Sequence, residues 1–108
     1  MQGPPWRWCP RRPGPGRPLK PRFIGFTPQT VTFMPLDSSG TPLDGEPISI
    51  APDELEALRN VYLENLTQEE AAKRMNVSRG TLWRLLESAR RKVVQALVER
   101  RPIVIGPL

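Results

Sequence analysis

Polar and basic side chains cluster between positions 78 and 92, at spacings that place several of them on one side of a helix. Arginine recognises guanine edges and phosphate in a bidentate geometry, and serine and threonine hydroxyls also contact phosphates or bases. A glycine among them allows a partner to come close to the backbone. We therefore predict contact with double-stranded DNA through ten residues: Ser78, Arg79, Gly80, Thr81, Trp83, Arg84, Glu87, Ser88, Arg91 and Lys92.

The members of this set have different expected roles. Arg79, Thr81 and Arg84 are predicted to meet base edges, which carry the sequence information. Two interpretations of Trp83 stay open: contact with a thymine methyl group or sugar, and helix packing as a partly buried residue. The alternative for the whole set is a plain helical hairpin with a solvated basic face. Contacts with phosphate, or positions beside it, are expected for four residues: Ser78, Arg90, Arg91 and Lys92.

The stretch 66–86 is typical of two helices joined by a tight turn, which would position these side chains. Thr67 and Glu70 predict a capping box at the start of the first helix. Asn76 suits the left-handed backbone of a helix end, and Ser78 suits the start of the next helix. Small and apolar residues at helical spacing predict the surface on which the two helices pack: Ala71, Ala72, Met75, Leu82, Leu85 and Leu86.

The composition narrows the classes of function. The chain has 108 residues and a net charge of +5, which favours an acidic polymer as partner. It has no histidine, a single cysteine (Cys9), no glycine-rich phosphate loop and no cluster of metal ligands. We therefore expect no enzymatic activity, no cofactor and no metal ion. Since no apolar run approaches the ~20 residues of a membrane span and no secretory signal is present, we expect a cytoplasmic protein that does not bind membranes.

Residues 1–22 are rich in proline, glycine and arginine and contain no acidic residue. Such a segment cannot bury enough apolar surface to fold by itself. We expect a disordered basic arm. Its role is left open between contact with phosphate or a minor groove and no role at all.

Residues 23–50 are expected to form short strands around a turn. The segments 23–26, 30–34 and 47–50 are rich in β-branched and aromatic residues, and 37–42 has the composition of a turn. Residues 102–108 are expected to form a last strand at 103–105. These strands predict a small β-ribbon that needs other elements for stability.

Residues 51–101 are expected to hold the helices. The first runs from Asp53 to Leu63, and the last runs from the turn to about Glu99. Glu54 and Glu56 are expected on the exposed face of the first helix, pointing away from DNA. Its buried stripe is predicted to consist of Leu55, Leu58, Val61 and Tyr62.

The run from Arg22 to Ile105 resembles a family of small prokaryotic predicted DNA-binding proteins, domain-of-unknown-function family 134. The resemblance implies a helix-turn-helix similar to region four of sigma-seventy-type factors, which reads promoter DNA. Because domains of that kind also dock on RNA polymerase, it implies a polymerase contact as well. Five blocks carry the resemblance: 22–26 (RFIGF), 53–59 (DELEALR), 68–72 (QEEAA), 77–81 (VSRGT) and 86–93 (LESARRKV).

Together, the residues and the resemblance predict a mainly α fold, with a three-helix helix-turn-helix domain and a small, winged-helix-like set of strands. The predicted function is sequence-specific binding of double-stranded DNA by a transcriptional regulator. The alternative is a protein–protein adaptor that docks on the transcription machinery or on another sigma-like partner. Ionic strength separates the two, because binding to phosphate weakens steeply with salt whereas apolar docking does not.

We also expect a homodimer, held by the strands and by the end of the long helix. The last strand follows a helix that carries it roughly 30 Å from Ser78. Pairing with the ribbon of the same chain and pairing with the ribbon of another chain are therefore both open. The contrary case is that of sigma-like domains, which bind DNA as single units.

Overall fold

The computed structural model describes residues 6–8, 21–26 and 29–106. The mainly α fold class with a small set of strands is confirmed. In chain order the elements are β1 (Trp6–Trp8), β2 (Arg22–Ile24), β3 (Val31–Phe33), β4 (Ile48–Ile50), α1 (Pro52–Leu58) with a π-helical continuation (Arg59–Leu63), α2 (Gln68–Met75), α3 (Arg79–Glu99) and β5 (Ile103–Ile105).

The first two strands form an antiparallel pair in which Trp6 lies opposite Ile24. The expectation of a disordered arm is therefore wrong for Trp6–Trp8 and Arg22, because the partner strand satisfies the backbone of this segment. The remainder of the predicted arm, at 1–5 and 9–20, lies outside the described residues. Ile24 is fully buried, and β2 contacts both α1 and α2.

The other three strands form a sheet with β5 in the centre. Val31 of β3 lies opposite Ile105 in antiparallel register, and Ile48 of β4 pairs with Ile103 in parallel register. Pairing of β5 within its own chain and pairing with another chain were both left open, and in the structure β5 pairs within its own chain. Because both edges of β5 are already paired, β5 cannot pair with a strand of a second copy.

The core lies where the three helices meet. Met75, Leu82 and Leu86 are fully buried, and Leu85 packs against them while partly exposed. Ala71 and Ala72 are also buried, and their small side chains let α2 come close to α3. The surface predicted for this helix pair is confirmed.

The prediction for α1 is wrong for its acidic residues and for Tyr62, whereas Leu58 and Val61 of the predicted stripe pack against the core while partly exposed. Its acidic residues are almost completely buried, with Glu56 only 1% exposed, whereas Tyr62 of the predicted buried stripe is 53% exposed. Burial of a carboxylate is tolerated because a cation pairs with it. Three such ion pairs face the interior: Asp53 with Arg22 at 3.2 Å, Glu54 with Lys92 at 2.8 Å and Glu56 with Arg59 at 2.9 Å.

Candidate nucleic-acid interface

The start of α2 is held by a reciprocal pair of hydrogen bonds. Thr67 Oγ1 accepts from the N–H of Glu70 at 3.1 Å, and Glu70 Oε1 accepts from the N–H of Thr67 at 2.9 Å. This arrangement satisfies two N–H groups that a helix start would otherwise leave free. The predicted capping box is confirmed, and it fixes where α2 begins.

The turn between α2 and α3 is short and well bonded. Asn76 adopts the left-handed backbone conformation, with φ 61° and ψ 43°. The N–H of Val77 then donates to the carbonyl of Ala72 at 3.0 Å. An asparagine tolerates this backbone better than most residues. The predicted helix exit at Asn76 is confirmed, and it sets the angle at which α3 leaves.

Ser78 starts α3 and ties its first turn together. Its Oγ accepts from the N–H of Thr81 at 3.1 Å and donates to Thr81 Oγ1 at 2.9 Å. The predicted cap is confirmed, and the hydroxyl hydrogen of Thr81 stays free to donate to an external acceptor. Ser78 itself is exposed at the protein surface.

The outward face of the first turns of α3 is polar and carries unpaired positive charge. Within the described ranges, no acidic residue forms an ion pair with Arg79, Arg84 or Arg91. Trp83 is 51% exposed, so both interpretations of this residue stay predictions. The exposed members of the predicted set on this face are Arg79, Gly80, Trp83, Arg84, Glu87 and Arg91.

Gly80 lies in the middle of this face. A Cβ atom built at Gly80 would meet nothing within 4 Å, so the position has room for a side chain. The backbone at Gly80 is helical, a conformation that every residue except proline adopts readily. Among the described residues, neither the space around Gly80 nor its backbone conformation requires glycine.

Ser88 and Lys92 belong to a different contact. Both are half-buried, and both hydrogen-bond to the carboxylate of Glu54, with Lys92 Nζ at 2.8 Å from Oε1. The same Oε1 atom accepts the N–H of Ala51 at 2.9 Å, which satisfies the start of α1 although alanine offers no side-chain cap. These hydrogen bonds attach α1 to α3. Ser88 and Lys92 therefore lie apart from the outward face.

Arg90 is oriented by the π-helical segment. Its Nη1 donates to the Tyr62 hydroxyl at 2.8 Å, and its Nη2 lies 3.3 Å from Glu87 Oε1. The Tyr62 hydroxyl, and after it Glu87, raises the pKa of Arg90 above its ordinary value. Glu87 therefore has a cation beside it on the exposed surface of α3.

Two basic residues of α2 were missed by the sequence reasoning. Lys73 and Arg74 are exposed in the last turn of α2, immediately before the turn that leads to Ser78. In helix-turn-helix proteins the first helix crosses the DNA backbone. Lys73 lies on the side of α2 opposite the buried Ala71 and Met75, whereas Arg74 Nη1 donates to Asn60 Oδ1 at 3.4 Å.

Residues 10–107 match the protein family described as "Protein of unknown function DUF134". The chain belongs to this family. That confirms the family resemblance seen in the sequence. The DUF134 description states no activity and no ligand.

Relatives of the DUF134 chain occur in archaea and bacteria. It is 54% identical over 95 residues to a UPF0251 protein of Pyrococcus furiosus, covering 87% of this chain and 86% of that one. It is 44% identical over 91 residues to a UPF0251 protein of Methanococcus maripaludis, covering 84% and 68%. Identity to a UPF0251 protein of Desulforudis audaxviator is 48% over 89 residues, covering 82% and 56%. No solved structure matches this DUF134 chain.

Two further features of this DUF134 chain concern the described residues only. None of the helices in the described ranges has the length and apolar character needed to cross a membrane. Among the same residues, no group of three or more histidine, cysteine, aspartate or glutamate side chains is arranged to hold a metal ion.

Proposed function

We propose that this protein binds double-stranded DNA in a sequence-specific manner and regulates transcription. The observation that carries the proposal is the outward face of α3, where arginines that pair with no acid among the described residues lie around Gly80, a position that has room for a side chain. Arg79 and Arg84 flank Gly80 on this face, and Arg91 extends it toward the middle of the helix. A major groove admits an α-helix whose first turns carry such residues.

The dimensions of α3 suit this role. Arg79 and Arg91 are twelve positions apart, which corresponds to about 18 Å along a helix. Arg79, Thr81 and Arg84 lie in the first two turns and would read base edges. Arg91 lies farther along the helix and would meet the backbone where the groove curves away. The exposed basic pair at the end of α2 would hold the neighbouring phosphates.

The start of α3 adds a second attraction for DNA. The first N–H groups of a helix are not all satisfied within it, and the helix dipole places partial positive charge at that end. Ser78 satisfies one of these groups and leaves others directed outward. A phosphate beside Ser78 would therefore bind both to the backbone and to the arginines.

The proposal includes no chemical step, so it includes neither enzymatic activity nor a cofactor. A cytoplasmic location goes with it, because the DNA of prokaryotic cells lies there.

The direct test is a selection from random duplexes with the purified full-length chain at fixed ionic strength. We expect one short motif to be enriched over successive rounds. The same selection with Arg79→Ala plus Arg84→Ala should lose that motif. No enrichment by the unaltered chain, or the same motif from the double variant, would contradict the proposal.

The second candidate function is docking on the transcription machinery, and one observation favours it. An apolar groove on the far side of α1 is lined by Phe26, Leu55, Leu58, Tyr62 and Leu63, and Leu63 is 75% exposed. Co-sedimentation with purified RNA polymerase tests this candidate. Binding that persists at high salt and is lost in Leu63→Glu would support docking through this groove.

A further inference from the structure

The outward face of α3 changes its chemistry along the helix. Its first half is polar and basic, whereas its last two turns expose three large apolar side chains. Val94 is 58% exposed, Leu97 is 70% exposed and Val98 is 73% exposed. Water contact with this much apolar side chain at the end of a single helix is unfavourable, and no described element covers it.

The apolar surface continues from α3 onto β3 and the segment after it. Leu97 borders a shallow groove that is also lined by Phe33, Met34 and Leu36, and Phe33 is 58% exposed. These side chains and the neighbouring Val94 and Val98 are each about half exposed or more. Covering all of them on two copies would bury at most about 1,200 Å², the lower end of the range of specific protein interfaces.

We propose that a second copy of this chain covers this surface, with the two α3 helices packed antiparallel about a two-fold axis at Gln95. Val94 and Val98 lie at the centre of the contact. Leu97 and the apolar residues of β3 lie along one edge. This contact replaces strand exchange as the basis of a dimer, because β5 is already paired on both sides within its own chain.

Charge complementarity supports the second copy as the occupant. Arg91 and Glu99 lie four positions on either side of Gln95. An antiparallel pair centred at Gln95 therefore places Arg91 of each copy opposite Glu99 of the other. Arg101 Nη1 lies 2.7 Å from Glu99 Oε1 in the same chain and lowers the pKa of Glu99, so Arg91 of the second copy would join an existing ion pair. The same antiparallel arrangement creates this ion pair twice, which a two-fold interface requires.

The distance between the two DNA-reading segments also fits, and this part of the inference rests on the proposed function. Trp83, at the centre of 79–87, lies twelve positions from Gln95. Two copies therefore place their Trp83 residues about 36 Å apart along the paired helices. Half-sites one helical turn apart on DNA have a spacing of about 34–36 Å. Arg84, Arg91 and Val98 follow one another at intervals of seven positions, so a contact centred on Val98 also brings Arg91 of each copy close to the other.

The test is sedimentation equilibrium of the full chain at micromolar concentration without DNA. We expect a species of twice 12.2 kDa for the unaltered chain. Val98→Glu should raise the dissociation constant of the dimer by about tenfold or more, because it places a charge in the apolar centre. Leu63→Glu is the matched control, since Leu63 is equally exposed at 75% but lies on the groove beside α1. It should leave the dimer unchanged.

A charge exchange separates the proposed pairing from other contacts. Arg91→Glu and Glu99→Arg should each weaken the dimer, and the variant with both changes should regain it. A chain that stays monomeric at all concentrations overturns the inference, as does a dimer that Leu63→Glu disrupts and Val98→Glu does not. Because no DNA is present, these outcomes are independent of whether the protein binds DNA. If the dimer forms and the duplex selection still fails, the proposed function is wrong and the interface stands.

Discussion

Two guanidinium groups project into solvent from the first two turns of α3, and within the described part of the chain no acid neutralises them. Replacing Arg79 or Arg84 with alanine removes a base-reading group without removing an internal contact. Each change should cost about 1–3 kcal/mol of specific binding and relax the preference at one base position. Fluorescence anisotropy with the selected duplex and its single-base variants measures both effects.

Arg100 provides a matched control for these two variants. It is exposed at the far end of α3, and its backbone is left-handed with φ 56°. Arg100→Gly removes the same charge at a position where glycine is favoured. It should leave the base preference unchanged. Equal losses in all three variants would show that only net charge matters, and would contradict the assignment of base-reading roles.

Gly80 offers a test in which stability and binding change in opposite directions. A methyl group at this position meets nothing within 4 Å, so Gly80→Ala should fold normally. It should stabilise the protein by up to about 1 kcal/mol, because alanine favours a helix over glycine. If DNA approaches the backbone here, affinity should fall by about tenfold, or roughly 1.4 kcal/mol. Thermal unfolding and anisotropy on the same sample decide this, and unchanged affinity would contradict close approach at Gly80.

Asp53 gives the protein a specific dependence on pH. Burial raises the pKa of its carboxyl above the ordinary value of 3.8, and Arg22 opposes this only in part. The folded state therefore binds the proton more tightly than the unfolded state does. The stability that Asp53 contributes is fully present below pH 3.8 and is lost as pH rises through the higher folded-state pKa.

Asn at this position keeps the shape of the side chain and does not titrate. The free energy of unfolding of Asp53→Asn minus that of the unaltered chain should therefore increase as pH rises from about 3 to 7. Denaturant unfolding at several pH values measures the difference. A difference that decreases over this range would mean that the Arg22 ion pair outweighs burial.

At the scale of single elements, the turn chemistry was predictable because it is local. The capping box of α2, the left-handed Asn76 and the Ser78 cap depend on residues within three or four positions of one another. The same holds for the length of α3, whose buried residues repeat at helical spacing to Ala96. Such features follow from sequence because both partners of each interaction lie in the same short segment.

The orientation of α1 was not predictable, because its acidic residues are explained by distant partners. Glu54 meets Lys92 thirty-eight positions later, and Asp53 meets Arg22 in a strand far upstream. Charge periodicity alone therefore indicated an exposed acidic face where the structure has a buried one. The pairing of Lys92 with Glu54 was missed for the same reason, since this partner could not be known from α3 alone.

Lys92 and Arg91 are adjacent, but Lys92 pairs with the buried Glu54 whereas Arg91 is exposed, so we expect opposite effects of replacing them. Lys92→Met leaves the buried carboxylate of Glu54 without its cation, so stability should fall by about 1–3 kcal/mol while DNA affinity stays close to that of the unaltered chain. Arg91→Ala should change stability by less than about 0.5 kcal/mol. It should lower affinity and reduce the slope of the salt dependence by about 1. Chemical denaturation and salt titration of binding test the pair, and the reverse pattern would contradict the division between packing and DNA contact.

At the scale of the whole molecule, everything outside α2 and α3 fixes the position of the outward face. The buried ion pairs attach β2 to the start of α1 and attach α1 to the middle of α3. The sheet of β3, β5 and β4 anchors the far end of α3, because β5 follows it after a left-handed exit at Arg100. A long helix held at both ends presents its first turns as a rigid unit, which sequence-specific recognition requires.

The central claim is that this rigid face reads a DNA sequence, and one measurement tests it most directly. The dissociation constant of the full chain should be determined for the selected duplex and for a duplex of shuffled sequence, between about 50 and 200 mM salt. The account predicts that the selected duplex binds about 100-fold tighter or more. It also predicts that the affinity falls with salt, with a logarithmic slope of roughly −3 to −6. Equal affinity for the two duplexes, or an affinity that salt does not change, would contradict it.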